Sequence, residues 1–573
     1  MSRLCLCSVE LQSRGLRQAG KIIFYLIMNS VYQKIILDSL SEKNLTEDFF
    51  SKIKKRSIKN TPVKKVPQNV LLLKIYKKML AEKKMERSER LEFLLKKRRV
   101  RTLSGIASVS VILHPFGCSG KCIFCPTERN LPKSYLKNEP AVMRAIANNY
   151  NPFRQVRSRL DSLKKTGHST DKIELVVIGG TWSFYPHKYR LWYLTRCLEA
   201  FNGERGGNKN NSPKILPRKS IKWLKKRLFE EQKINENAKN RVIGITLETR
   251  PDFINKEEII DMRECGATRI ELGIQHTDED ILRKNKRDQS LKGVSSAIKM
   301  LKDAGFKITF HLMPGLYGSS PQKDIKMFKK VFKDSNLRPD YIKIYPCVVL
   351  KNTPLFRLWK NKKYKPLIDN QLIDLIIKLK RVVPLYTRII RIIRDIPSNQ
   401  IIAGGRISNL REKIEHKMKR DGEKCACIRC REIKDSEISG IKPVFFRQNY
   451  RSSGGKEVFL SFENKKRDCL LSFLRLRVPS QVIKKEKHFI KELEDASIIR
   501  EVHTYGPAMA LKEKSAGASQ HHGFGKQLIK KAEQISKREF RLKKIAVIPG
   551  IGTKKYYRKL GYRSVGTYMI KRL

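Results

Sequence analysis

The first residues in this chain able to do unusual chemistry are three cysteines on one short segment. In HPFGCSGKCIFCP (114–126), Cys118, Cys122 and Cys125 stand at C-x3-C-x2-C spacing. Three thiolates so close can hold three irons of a [4Fe-4S] cube and leave the fourth iron open, whereas electron-transfer clusters usually close that position with a fourth cysteine. An open iron points to substrate or cofactor chemistry. The competing arrangement is a zinc knuckle completed by His114. A second group, Cys425, Cys427 and Cys430, has C-x-C-x2-C spacing in a Lys/Arg-rich segment and suits tetrahedral zinc, with His416 upstream as a candidate fourth ligand and a second iron–sulfur cluster as the alternative. These two groups take six of the 12 cysteines. That pattern fits metal in a reducing cytosol better than a disulfide framework.

The elements that must carry the first triad are short β-rich runs, each followed by a longer amphipathic stretch. Strands are predicted at 108–113, 173–180, 241–248, 268–275, 307–314 and 341–346, with helices such as Gln289 to Ala304 and Gln322 to Phe332 between them. About six βα units imply a parallel sheet curled into a barrel or partial barrel. The triad follows the first strand, at the end of a βα barrel where active sites sit. Two further strand ends carry candidate ligands. Gly179 and Gly180 close the second strand and would let backbone approach a cofactor. Glu248 and Arg250 end the third, as a charge pair suited to a ribose or carboxylate or as a structural salt bridge. A stretch rich in Gly, Asn and Lys, from Asn202 to Arg218, reads as a surface insertion.

Nearer the C-terminus come IREVHTYG (499–506), QHHGFGKQLIKKAEQISK (520–537), KKIAVIPG (543–550) and YYRKLGY (556–562). A strand, then Q-x-x-G-x-G opening an amphipathic helix, aims unpaired N–H groups and a helix dipole at a pyrophosphate. Tyr556 and Tyr557 precede the last turn, where core aromatics are the competing reading.

The chain has 123 Lys+Arg against 55 Asp+Glu, a formal charge of +68 spread through every segment. Such a field favours a polyanion, with nucleic acid the leading partner class and genome-wide lysine bias the bland contributor. Residues 29–100 read as a basic helical region, with Leu72, Ile75, Tyr76 and Met79 on one face. The apolar run from Ile22 to Met28 is too short to span a bilayer, so a soluble cytoplasmic protein is expected. Met28 is an alternative start, which would make the stretch before it, with Cys5 and Cys7, an upstream extension. The expected organisation is 1–28 extension, 29–100 basic helical region, 101–400 barrel, 401–440 zinc-binding linker and 441–573 a second α+β domain.

The cysteine loop, with Phe124 before its last cysteine, resembles the radical-SAM superfamily, and the C-terminal segment resembles N-acetyltransferase-like domains. The fold class is then α/β, a partial (β/α)6 radical-SAM barrel followed by a zinc-binding linker and an α+β N-acetyltransferase-like domain. From about residue 100 onward the combination resembles the elongator complex protein 3 family, closer to its stand-alone bacterial and archaeal members. NEPAVMRA (138–145), GHSTDKIELVVIGGTW (167–182), GITLETRPD (244–252), IKIYP (342–346) and RDIPS (394–398) carry the likeness. The resemblance implies a tRNA wobble-uridine enzyme in which S-adenosylmethionine, bound to the open iron, yields a deoxyadenosyl radical. That radical takes hydrogen from the acetyl-CoA methyl group, the carbon radical adds to uridine C5, and thioester hydrolysis leaves 5-carboxymethyluridine. It assigns Lys172, Tyr556 and Tyr557 to catalysis, and Lys172, Glu501, Val502, His503, Thr504, Gly523, Phe524, Gly525 and Tyr556 to the coenzyme. It also makes the basic helical region at 29–100 tRNA-binding and implies an outside electron donor and no membrane partner, while a homodimer is admitted but not required. A protein lysine acetyltransferase with a structural iron–sulfur domain is the alternative, and a tRNA-binding protein with dead chemistry a third. Where the family usually reads N-R-G-H this chain has Lys286, Arg287, Asp288 and Gln289, which keeps the arginine but not the glycine and histidine, and Asn399 and Gln400 stand where the bacterial branch has histidines.

Overall fold

The computed structural model describes residues 25–42, 44–63, 65–96, 105–203, 219–433, 441–505 and 523–573. The N-terminal extension up to residue 24, most of the expected insertion and Gln520 to His522 of the glycine turn lie outside the described residues. The chain forms two compact units, one of Met1–Thr102 with Arg159–Thr170, the other of Leu103–Ser158 with Asp171–Leu573.

The first unit is helical, with a helix over 25–40 followed by Glu47–Ile58, Asn69–Ala81 and Glu89–Leu95. Its helices start where side chains satisfy free amides: Thr46 accepts from Phe49 N–H at 3.2 Å, and Ser88 from Leu91 N–H at 3.2 Å. Ile35, Leu72, Tyr76 and Leu91 form its core, and the lysines between them face outward.

The second unit holds two sheets. The first comprises β1 (Ala107–Ile112), β2 (Lys172–Ile178), β3 (Arg241–Thr249), β4 (Arg269–Gln275), β5 (Lys307–Leu312) and β6 (Tyr341–Ile344), joined beyond β7 (Val349–Leu350) by β8 (Arg388–Arg391). Every pairing in the order β1-β2-β3-β4-β5-β6-β8 is parallel, and β1 and β8 are the two edges, so the barrel is partial and open. The six expected strands are present, and β8 is a seventh. Its run Arg-Ile-Ile-Arg has no alternation to mark it, and only the free edge of β6 makes it a strand. Ser290 and Ser320 cap the helices after β4 and β5, which therefore begin at Leu291 and Pro321. β9 (Ile401–Ala403) pairs with β7 as a small antiparallel ribbon.

The second sheet runs β10 (Val444–Ser452), β11 (Gly455–Glu463), β12 (Leu470–Val478), β13 (Ala496–Thr504), β14 (Lys544–Val547), then β16 (Tyr568–Arg572) and the edge strand β15 (Arg563–Val565). Only β13 and β14 are parallel, and their crossover contains the helix Phe524–Arg538. That helix packs Leu528, Ile529 and Ala532 into the core formed with Leu474, Leu476 and Val547.

The two sheets meet through buried ions as well as apolar contact. Arg477 donates to Asp303 at 2.6 Å and Glu457 at 2.9 Å, and Arg500 donates to Glu457 and Asp340 at 3.0 Å, all with no exposed side-chain surface beyond 1%. Beside them the turn after β14 lies flush on β3. A Cβ at Gly550 would sit 1.9 Å from the Ile243 carbonyl oxygen. Gly550→Ala must push two backbones apart, and we expect it to lower stability by about 1–3 kcal/mol in chemical denaturation. Wild-type stability in that variant would show that the turn is free to move.

Candidate active site

The loop after β1 brings Cys118, Cys122 and Cys125 to the C-terminal end of the parallel sheet, half-buried. Ile123 and Phe124 between them pack against Ile281, Leu316 and Val349, which anchors the loop. The thiols lie among donors and cations. Gly120 N–H donates to Cys118 Sγ at 3.4 Å, Arg287 Nη1 to Cys122 Sγ at 3.6 Å, and the Arg250 guanidinium lies over Gly120, where a Cβ would be 2.4 Å from Nη1. Burial and then the neighbouring Cys122 push the Cys125 thiol up to about 11, while the N–H donors and cations facing Cys118 and Cys122 suit the sulfurs of an iron–sulfur cluster. His114 turns instead to the Pro115 carbonyl, with Nδ1 at 3.0 Å, and stacks edge-on with Tyr150.

Gly179 and Gly180 follow β2 with φ of 119° and 116°, a region closed to side chains. A Cβ on Gly179 would also lie 2.9 Å from Leu113 N, so this turn is pressed against the cysteine loop. Tyr185, which no motif or spacing marks, ties both together. Its hydroxyl lies 2.8 Å from the His114 carbonyl and 2.9 Å from the Gly179 carbonyl, within reach to donate its one proton to either. Thr181 Oγ1 is 3.9 Å from Cys118 Sγ. Glu248 and Arg250 stand at the end of β3, though not paired with each other. Arg250 Nε donates to Asp252 at 2.9 Å, while Glu248 faces Tyr135 OH at 3.5 Å and His311 Nδ1 at 3.7 Å.

His311 opens a buried charge ladder along one face of the sheet. Its Nε2 is 3.0 Å from Glu271, which also pairs with Lys343, and Arg269 bridges to Glu174 at 2.8 Å. Lys343 and His311 hold the Glu271 carboxyl well below the usual carboxylate range despite its burial. The signal was present as single ionisable residues inside apolar strands, in IEL at 173–175 and 270–272, FHL at 310–312 and IKI at 342–344.

The second candidate pocket divides the residues assigned to it. Gly525 lies where a Cβ would meet Tyr556 OH at 3.5 Å, Thr504 Oγ1 at 3.6 Å and Val502 Cγ1 at 3.8 Å, so these four residues are together. Gly523, at φ 67°, caps the helix whose first amides face the same place. Phe524 instead stacks on Phe462 in the core, and Tyr557 is buried there too, while its neighbour Tyr556 stays 39% exposed. Glu501 and His503 alternate to the other face of β13. The Glu501 carboxylate is held by Tyr341 OH and by Arg475 Nε at 2.9 Å, so it is not free to deprotonate an amine. His503 stacks between Phe473 and Tyr505.

Lys172 is the first residue of β2, about 20 Å from Gly179 along the strand. It therefore belongs with His503 and Glu501 rather than with the cysteines. Burial lowers the His503 pKa to about 4 against the pull of Glu501, with the charges of Arg388, Lys307 and Lys172 adding to the shift. The unfolded chain thus binds a proton that the folded one refuses. Between about pH 6.5 and 4, stability should fall as pH falls, by about 1.4 kcal/mol per unit of pKa difference, and His503→Gln should flatten that slope. An unchanged slope in denaturation at stepped pH would contradict this.

In the second cysteine group the three Sγ atoms lie within 4.8 Å of one another. Hydrogen bonds from Cys425 and Cys430 hold the Cys427 thiol well below its ordinary range while those two thiols are themselves pushed up, and buried Lys380 Nζ is 3.8 Å from Cys430 Sγ. The donor set fits zinc. His416 is exposed on the helix Leu410–Arg420 and is not in the group.

A parallel half-barrel with a three-cysteine loop at its C-terminal end defines a radical-SAM protein, and comparison with known families agrees. The Radical SAM superfamily profile matches residues 112–331, and the Radical SAM C-terminal domain matches 339–420. The tRNA uridine(34) acetyltransferase of Methanocaldococcus infernus is 42% identical over 84% of this chain and 88% of its own length. The Elongator complex protein 3 of Homo sapiens is 37% identical over 84% of this chain and 86% of its own. The solved structure of archaeal Methanocaldococcus infernus Elp3 with an N-terminal deletion superposes with a TM-score of 0.67 at 39% identity, covering 82% of this chain and all of that one. The chain belongs to the elongator complex protein 3 family. Among the described residues no helix is long and apolar enough to cross a membrane.

Proposed function

We propose that this protein modifies the wobble uridine of tRNA, joining the acetyl group of acetyl-CoA to C5 to give 5-carboxymethyluridine. The observation that carries the reading is the presence, in one compact unit, of the cysteine loop and of the separate Gly525–Thr504–Tyr556 pocket. The relatives named tRNA uridine(34) acetyltransferase supply the substrate class. A [4Fe-4S] cluster held by Cys118, Cys122 and Cys125 supplies, with S-adenosylmethionine, the radical chemistry that activates a methyl C–H bond. Gly179 and Gly180 keep side chains away from that cofactor, and Glu248 and Arg250 offer an acceptor and a cation for its polar groups. The helix amides at Gly523 to Gly525 take the coenzyme pyrophosphate, and the exposed Tyr556 hydroxyl orients the thioester end. Lys172 contributes a cation on the barrel side. In the net reaction the acetyl methyl hydrogen departs on 5'-deoxyadenosine, with S-adenosylmethionine as the oxidant and methionine released. The methyl carbon bonds to C5, the C5 hydrogen leaves as a proton while its electron replaces the one first supplied, and water cleaves the thioester to a carboxylate and free coenzyme thiol. Cys425, Cys427 and Cys430 hold structural zinc, and the basic helical unit takes tRNA phosphates.

Against a lysine acetyltransferase stands the engagement of Glu501, the carboxylate assigned to the coenzyme segment, with Arg475 and Tyr341. The deciding experiment supplies reduced, reconstituted protein with S-adenosylmethionine, unmodified tRNA and acetyl-CoA carrying carbon-13 in both acetyl positions. Nucleoside mass spectrometry should find both labelled carbons in the modified uridine, only when S-adenosylmethionine is present. Labelled acetyl on protein lysine, with none on tRNA, would overturn the proposal.

A further inference from the structure

We propose that Arg287 sets the reduction potential of the cluster at Cys118, Cys122 and Cys125, an inference that rests on reading that triad as cluster ligands. Arg287 is only 5% exposed, yet its described side-chain partners are one carbonyl and one thiol. Nη2 donates to the Gly273 carbonyl and Nη1 to Cys122 Sγ at 3.6 Å, while Nε has no partner. No described carboxylate is in hydrogen-bond contact with it, Asp252 acting only from a distance, and a buried guanidinium is costly unless an anion in contact compensates it. Thiolate sulfur is the anion within reach.

The position is built rather than incidental. Helix Glu279–Lys284 ends in a turn with Lys286 at φ 51°, and Arg287 N–H donates to the Leu282 carbonyl at 3.0 Å. Buried Asn285 fixes that turn through Nδ2 to the carbonyls of Ile281 at 2.7 Å and Tyr317 at 2.9 Å. The Asn285 carbonyl in turn accepts Ile123 N–H at 3.2 Å, so the arginine turn and the cysteine loop are hydrogen-bonded to each other. Gly273 leaves the space the guanidinium needs, since a Cβ there would be 3.0 Å from Nη2. Hydrogen bonds to cluster sulfur and local charge are the levers that set such potentials. A fixed cation on Cys122 stabilises the more negative, reduced cluster and so raises the potential, easing entry of the electron that the chemistry needs.

Arg287→Met and Arg287→Lys, reconstituted anaerobically beside the wild type, test this by iron content and by redox titration followed by electron paramagnetic resonance. With iron content unchanged, Arg287→Met should lower the reduced-to-oxidised ratio at the wild-type midpoint about tenfold, a shift of ~59 mV. Arg287→Lys should shift it less. A wild-type midpoint in a fully loaded Arg287→Met cluster overturns the inference. Should that variant fail to hold iron, arginine labelled with nitrogen-15 in the guanidinium tests the same contact in the wild type. A nitrogen coupled to the reduced cluster and lost in Arg287→Lys supports it, and its absence in the wild type overturns it. A wild-type protein that takes up no iron at all overturns the cluster reading, and this inference with it.

Discussion

Replacing Cys122 by alanine is expected to abolish tRNA modification, with product below detection, and to remove most of the chromophore of an iron–sulfur cluster. In the proposed cluster Cys122 is the middle ligand of a loop too short to recruit a substitute. The other cysteines of the second unit are far along the chain or buried in apolar core, as Cys197, Cys265 and Cys347 are. Two thiolates cannot hold the three irons that leave one open, and a cluster with the wrong iron exposed cannot bind its cofactor productively. The fold should not suffer, because Ile123 and Phe124 rather than the thiols anchor the loop. Coenzyme binding at the Gly525 pocket should therefore persist. Iron analysis, nucleoside mass spectrometry and calorimetry with a coenzyme A analogue separate these outcomes. Carboxymethyluridine made by the variant would sink the radical mechanism.

The second large effect concerns stability. Arg500→Met should destabilise the second unit by about 3–5 kcal/mol, because it leaves Asp340 and Glu457 charged and short of a partner where the native side chains are essentially unexposed. Arg475 and Lys302 remain near Asp340 but cannot replace the paired N–H donors, and the Phe306 carbonyl also loses its donor at 2.7 Å. The same substitution at Arg381, whose pairing with Glu423 is solvent-exposed, should leave the denaturation curve unchanged within error. The pH dependence has a definite sign. Despite burial, Arg500, Lys302 and Arg475 hold the Asp340 carboxyl well below the usual range. Its contribution is thus fully present above the unfolded carboxylate pKa and is lost as pH falls below it toward the depressed folded value. Arg500→Met should remove much of that acid sensitivity. Equal denaturation midpoints for variant and wild type at neutral pH would show that the ion network is not what holds the two sheets together.

Local pattern by itself determined the six leading strands and the amphipathic stretches after them, because β-rich runs and helical periodicity are local signals. It also determined the two cysteine groups and the tight glycine turns. Spacing within a few residues is enough to gather thiols, and C-x-C-x2-C did bring three sulfurs within 4.8 Å. What sequence spacing left undivided, tertiary structure separated. Tyr556 and Tyr557 are adjacent in the chain, yet one reaches the Gly525 pocket and the other fills the core, because successive residues on a short helix face different directions. The run from Glu501 to Thr504 splits in the same way across a strand, two residues to the pocket and two to the barrel side. Strand β8, the charge ladder through His311, the Arg500–Asp340 pairing and the Arg287–Cys122 contact depend on partners far along the chain. No local pattern encodes such contacts. They arise when the closing sheets bury charged groups that must then find one another.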